Sequence, residues 1–233
     1  MIKFEMRSSK YGVKFAGMLS ALGAVLLACA AVFGAEATAP SASVTAPDTA
    51  DPVGRIEAHY RALTDLQATV VQKNYLKPVD KTQTFDGVLF IKRPGKLRLE
   101  YTNGQVIVID GKEAWFYSRK SEQAIRRTFK DFEQANIPVA FLLGAADMRR
   151  EFEISFPDAA KPLTLDLKPK KKGAAMKKIE IDADQTGSIL RMMIYDRSEN
   201  TSEILFKDIR EGVGVDDKLF RFKVPKGTEV IEQ

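Results

Sequence analysis

Residues 85–117 read FDGVLFIKRPGKLRLEYTNGQVIVIDGKEAWFY. Apolar side chains recur at every second position, and the runs are broken at Pro94-Gly95, Asn103-Gly104 and Asp110-Gly111. That pattern predicts short antiparallel strands joined by tight turns. Asn-Gly is the strongest short hairpin signal, because both residues tolerate positive φ. A two-residue turn at Asn103-Gly104 would pair Tyr101 with Val106 and Leu99 with Val108. A second, at Gly111-Lys112, would pair Val108 with Trp115 and Val106 with Tyr117. A three-residue turn at Pro94–Lys96 brings in Leu89, Ile91 and Arg93. Side chains alternate between faces along a strand. Leu89, Ile91, Leu97, Leu99, Tyr101, Val106, Val108, Trp115 and Tyr117 are therefore expected on one wide apolar face, with Arg93 at its rim. Arg98, Glu100, Ile107, Ile109 and Phe116 fall on the other face.

Working outward, Leu66–Leu76 and Thr82–Arg93 read as a hairpin that leads into this stretch, and residues 123–127 as a further short strand. From Thr128 the spacing changes: Phe129 and Phe132 stand at helical separation, and the apolar run 138–143 opens with Pro138. Two short helices are expected there. Strand alternation then resumes, through Phe152, Ile154 and Phe156, through Leu163, Leu165 and Leu167, and on to Phe220, Phe222 and Val224 at the end. The chain is thus mainly β with a few helices. About ten or eleven strands in up-and-down order make an incomplete antiparallel β-barrel. Asp51-Pro52 opens an N-terminal helix, with Asp as cap and Pro in the first turn. Val53, Ile56, Tyr60 and Leu63 give that helix one apolar face, which could lie across the mouth of a curved sheet.

Residues 1–37 have the form of a secretory signal: a basic start, an apolar stretch from about Phe15 to Phe33, and an Ala35-Glu36-Ala37 cleavage site. Leu26-Leu27-Ala28-Cys29 also resembles a lipobox, which would make Cys29 an acylated anchor. Residues 38–52 are rich in Ala, Pro, Ser and Thr and predict a flexible tether. The folded domain is expected over 53–233.

The formal charge of +5 falls partly in the leader. The remainder is too weakly basic, and too poor in base-stacking patterns, to indicate nucleic acid. Cys29 is the one cysteine and His59 the one histidine. No catalytic triad, metal-ligand spacing or glycine-rich phosphate loop can be assembled from these residues. No catalytic residue, metal or cofactor is expected, and binding is the better class. Lys168–Lys178 is the largest basic cluster; it reads as a solvated hairpin tip or as a patch for anionic headgroups. A sheet of this width has more inward apolar surface than so few helices can fill. Either the barrel closes tightly or an apolar cavity remains.

The run RPGKLRLEY, followed by VIVIDGKEAWFY, resembles the LolA family of periplasmic lipoprotein carriers. That family's mark is an R-P-x-x-[apolar] segment before a D-G-K-x-x-W-x-Y hairpin. Leu66–Gln72 is similar to the family's first strand, Glu122–Ala135 to its middle passage, and FRFKVPKGTEVI to its last strand and tail. The resemblance implies an incomplete barrel lidded by helices, in which the apolar face of residues 89–117 holds acyl chains. It implies that Arg93 gates the lid by bonding helix carbonyls, and that Trp115 sits where it would report ligand. The implied protein is a monomeric periplasmic carrier, not an enzyme, that moves acylated lipoproteins from the inner to the outer membrane. Its partners would be an inner-membrane ABC-type releasing complex and an outer-membrane acceptor. A lipid-anchored receptor of the same fold, a periplasmic lipid sensor and a lipid hydrolase are the alternatives.

Overall fold

The computed structural model describes residues 51–130, 142–143, 147–158, 160–161, 163–171 and 176–232. The expected leader, residues 38–50 of the tether, and most of the two mid-chain helices lie outside the described residues.

Helix α1, Pro52–Ala62, begins as its sequence dictates: the Asp51 side chain accepts the Val53 N–H at 3.1 Å and Pro52 occupies the first turn. The strands are β1 (Asp65–Leu76), β2 (Lys81–Lys92), β3 (Lys96–Tyr101), β4 (Gln105–Asp110), β5 (Glu113–Ser118) and β6 (Gln123–Thr128). A short helix α2 (Met148–Glu151) precedes β7 (Phe152–Ser155), β8 (Thr164–Pro169), β9 (Met176–Ala183), β10 (Ile189–Asp196) and β11 (Thr201–Glu211). A four-residue strand, β12 (Glu229–Glu232), follows. All belong to one 12-stranded sheet in the order β12-β6-β5-β4-β3-β2-β1-β11-β10-β9-β8-β7. Two meanders, β1–β6 and β7–β11, meet where β1 pairs with β11. The end strands β7 and β12 do not pair with each other, so the sheet is open.

The expected architecture holds with one strand more than the upper expectation. β12 pairs in parallel with β6, whereas its neighbours in the ladder are antiparallel. The alternation Phe220, Phe222, Val224 is not a strand: Phe220 closes a 3₁₀ turn at Asp217–Phe220, and residues 221–225 carry no ladder. Phe222 instead lies over the outer sheet face, against Trp115 and Tyr117.

The register of residues 85–117 departs from expectation at two turns, and at one of them the faces exchange. Gly104 takes positive φ (84°) and Asn103 does not. The Gly104 N–H bonds the Tyr101 carbonyl at 3.0 Å, and Asn103 Oδ1 accepts the Gln105 N–H at 3.0 Å. The loop therefore has three residues, Thr102–Gly104, with a left-handed glycine closing it. Leu99 pairs with Ile107 and Leu97 with Ile109. A slip of one residue exchanges the faces of everything that follows. The Gly111-Lys112 turn is as expected, with Val106 opposite Tyr117 and Val108 opposite Trp115. All four therefore lie on the outer face, not with Leu97, Leu99 and Tyr101. Ile107, Ile109 and Ala114 take the inner positions, at 6%, 0% and 0% exposure. At the β2–β3 turn Ile91 pairs with Leu97 and Leu89 with Leu99, a shift of two that leaves their shared face unchanged.

The C-terminal segment covers the outer face of β3–β5. Phe222 lies 5.2 Å from the Trp115 ring and 5.8 Å from Tyr117, centroid to centroid. Arg98 donates to the Leu219 carbonyl at 2.9 Å, and Lys92 and Lys96 both reach the Asp217 carboxylate. Those two lysines hold the Asp217 carboxyl below its usual range.

Candidate functional site

The concave face of the sheet carries the main apolar cluster. Leu66, Ala68 and Val70 of β1, Leu89 and Ile91 of β2, and Leu97, Leu99 and Tyr101 of β3 meet Leu165, Ile181 and Met192 from the other meander. Of the residues expected to line a pocket, Leu89, Ile91, Leu97, Leu99 and Tyr101 stand here. Val106, Val108, Trp115 and Tyr117 do not, for the register reason given above.

Helix α1 lies over this face, burying Val53, Ile56 and Tyr60 to 1%, 0% and 2% exposure. Truncating one such residue costs about 2–5 kcal/mol. Polar bonds fasten the helix along its length. Arg93 Nη1 donates to the Tyr60 carbonyl at 2.7 Å. That carbonyl is one of the last four of the helix, which have no partner within it. A cation there also meets the negative end of the helix dipole. Tyr60 Oη accepts the Ile189 N–H at 3.2 Å, and burial raises the phenol well above its ordinary range. His59 Nε2 lies 2.9 Å from Glu211 Oε1. Glu57 Oε1 accepts the Met148 N–H at 2.9 Å, which caps α2, and burial raises the Glu57 carboxyl above its ordinary value. Arg149 pairs with Asp51 at the other end. The helix is thus tied to the β2–β3 turn, to the start of β10, to β11 and to α2.

One part of the concave wall is polar. Gln72 and Asn74 continue the inward phase of Leu66, Ala68 and Val70, and Ser202 stands opposite Asn74 on β11. Gln72, Asn74, Ser202 and Tyr101 are 1%, 4%, 3% and 8% exposed. Tyr101 Oη donates to Gln72 Oε1. Gln72 Nε2 donates to Asn74 Oδ1 and to Ser202 Oγ, each at 3.0 Å, and Ser202 Oγ donates to Asn74 Oδ1 at 2.8 Å. Burial raises the Tyr101 phenol too, so it stays protonated and a donor. The sequence reading missed Gln72, Asn74 and Ser202. Their signal was there: polar residues at positions whose parity is inward.

Among the described residues no group of His, Cys, Asp and Glu could hold a metal ion, and no helix is long and apolar enough to cross a membrane.

A family model described as outer membrane lipoprotein carrier protein LolA matches residues 61–223. The outer-membrane lipoprotein carrier protein of Chromobacterium violaceum is 29% identical over 204 residues, covering 84% of this chain and 94% of that protein. Its counterpart in Nitrosomonas europaea is 28% identical over 168 residues, covering 70% and 78%. A solved structure of a LolA superfamily protein from Nitrosomonas europaea aligns with a TM-score of 0.42 at 13% identity, covering 73% of this chain and 96% of that one.

Proposed function

Because the chain belongs to the LolA family of outer-membrane lipoprotein carrier proteins, we propose that it is a periplasmic carrier for the acyl chains of lipoproteins. The observation that carries this reading is the concave apolar face under α1. A helix fastened to its surroundings by side-chain bonds can be released and refastened without unfolding the sheet. Moving an acyl chain into water costs about 0.8 kcal/mol per methylene, so a multiply acylated protein needs a host to cross an aqueous space. The concave face supplies that host once α1 moves aside.

In this account Arg93 is the latch. Its bond to the Tyr60 carbonyl belongs to the closed state and is lost when α1 lifts. Cargo arrives from an inner-membrane ABC-type releasing complex and leaves for an outer-membrane acceptor. The family is one of carriers, and the protein itself makes and breaks no covalent bond. Export through a cleaved leader ending at Ala37 puts the carrier in the periplasm as a soluble monomer.

The test is displacement of an environment-sensitive apolar dye from the purified protein by a triacylated lipopeptide. The expected result is saturable dye binding and full displacement. Absence of dye binding, with no lipopeptide binding by calorimetry, would contradict the carrier reading.

A further inference from the structure

We propose that Asn74 is a carbonyl-binding subsite on the concave wall, which fixes the ester or amide carbonyl that joins a fatty acyl chain to its headgroup. This rests on the acyl-carrier reading above and adds to it a point of attachment and a direction.

The polar quartet leaves part of one side chain unspent. Gln72 spends both N–H groups and its oxygen inside the network, and Ser202 spends its proton there. Asn74 accepts twice through Oδ1, while its two amide N–H groups have no acceptor among the described residues. Asn74 is 4% exposed, so this spare donor belongs to the wall, not the surface. Set amid Val70, Phe85 and Ile204, an amide donor that its own network leaves unspent is open to a ligand acceptor.

Gly87 also helps to hold the quartet in place. Tyr101 pairs with Gly87 across the β2–β3 ladder, and Gly87 pairs with Val70 on β1. A Cβ at Gly87 would lie 2.6 Å from the Glu100 carbonyl oxygen and 3.1 Å from Tyr101 Cδ1. The missing side chain lets the Tyr101 ring cross β2 and deliver its hydroxyl to Gln72 on the next strand. Phe85 packs edge-on against the ring at 5.9 Å. Tyr101, Gln72 and Ser202 are positioning residues, and Asn74 is the group that touches ligand.

The chemistry selects the ligand class. An alkyl chain offers no acceptor, whereas the carbonyl at its head accepts N–H groups well. Asn74 lies near the end of β1 remote from Arg93. From there, β1 runs through Val70 and Ala68 to Leu66, about 26 Å at the usual rise for the eight steps. That length takes an extended fatty acyl chain. A carbonyl held at Asn74 therefore points its chain along β1 toward the Arg93 end and leaves its headgroup beside the β1–β2 and β10–β11 turns.

The experiment measures affinity for three lipopeptides of equal chain number and chain length: a diester, the matching diether, and the matching diamide. Wild-type protein is expected to bind a carbonyl-bearing ligand about threefold to tenfold more tightly than the diether, the range of one hydrogen bond. The diester and amide arms tell which carbonyl is read. In Asn74→Leu the three affinities are expected to converge. Tyr101→Phe should shrink the preference in part, as a positioning residue would. Equal binding of all three ligands by wild-type protein overturns the subsite and leaves the carrier reading standing, and this comparison needs no variant to fold. A preference that survives in Asn74→Leu overturns the assignment to Asn74. Failure of wild-type protein to bind any of the three overturns the carrier reading itself.

Discussion

Arg93 shows how a single side chain could set an equilibrium between two states. Its 2.7 Å bond to the Tyr60 carbonyl joins the β2–β3 turn to the last turn of α1. A hydrogen bond to a charged group contributes about 1.5–3 kcal/mol net. If the bond exists only when α1 is down, Arg93→Leu destabilises the closed state alone. Ligand binds the open state, so apparent affinity should rise by about tenfold to a hundredfold until the open state dominates. Cargo should then load readily from inner-membrane vesicles and transfer poorly to an acceptor membrane, because closure no longer helps to expel it. Wild-type behaviour in both steps would contradict the latch. The arginine was legible in the sequence through its phase with Leu89 and Ile91 and through the Arg-Pro motif. The four-residue polar network was not singled out, although parity alone places Gln72 and Asn74 inward.

At the scale of elements, the alternation of apolar residues gave strand identity, while register depended on turn geometry. Asn103-Gly104 fits a two-residue turn and also the end of a three-residue loop, and the two differ by one step. Local sequence does not choose between them. The three-residue form turns Ile107, Ile109 and Ala114 into the apolar cluster, and it turns Val108, Trp115 and Tyr117 toward the C-terminal segment. That segment was itself misread as a strand, because alternation marks any extended chain with one face covered. A consequence concerns Trp115. On the outer face, stacked with Phe222 and with Arg126 over its ring at 5.6 Å, it reports the C-terminal segment and not the ligand. Phe222→Ala should shift Trp115 emission to longer wavelength while leaving lipopeptide affinity within about twofold of wild type. A lipopeptide-induced change in Trp115 emission as large as that of the substitution would return the tryptophan to the ligand's side of the sheet.

The whole molecule is an open sheet whose curvature gives it an inside and an outside. One apolar surface is closed by the chain's own end, which three cations from β2 and β3 hold down. The other is closed by a helix whose fastenings are scattered among four elements. In the carrier reading proposed above, the outer cover stays in place and the inner one is the cover that lifts. The architecture could be read from the sequence because up-and-down strands need only local turns. Which face was covered by what could not, because both covers are contacts between segments far apart in the chain. The direct measurement is photo-crosslinking with a lipopeptide that carries a diazirine in its acyl chain, with adducts located by mass spectrometry. Adducts are expected on Leu66, Leu89, Ile91, Leu99 and Met192 and on the buried side of α1. Adducts confined to outer-face residues such as Val88 and Trp115, or none on the concave face at saturating ligand, would contradict the carrier reading.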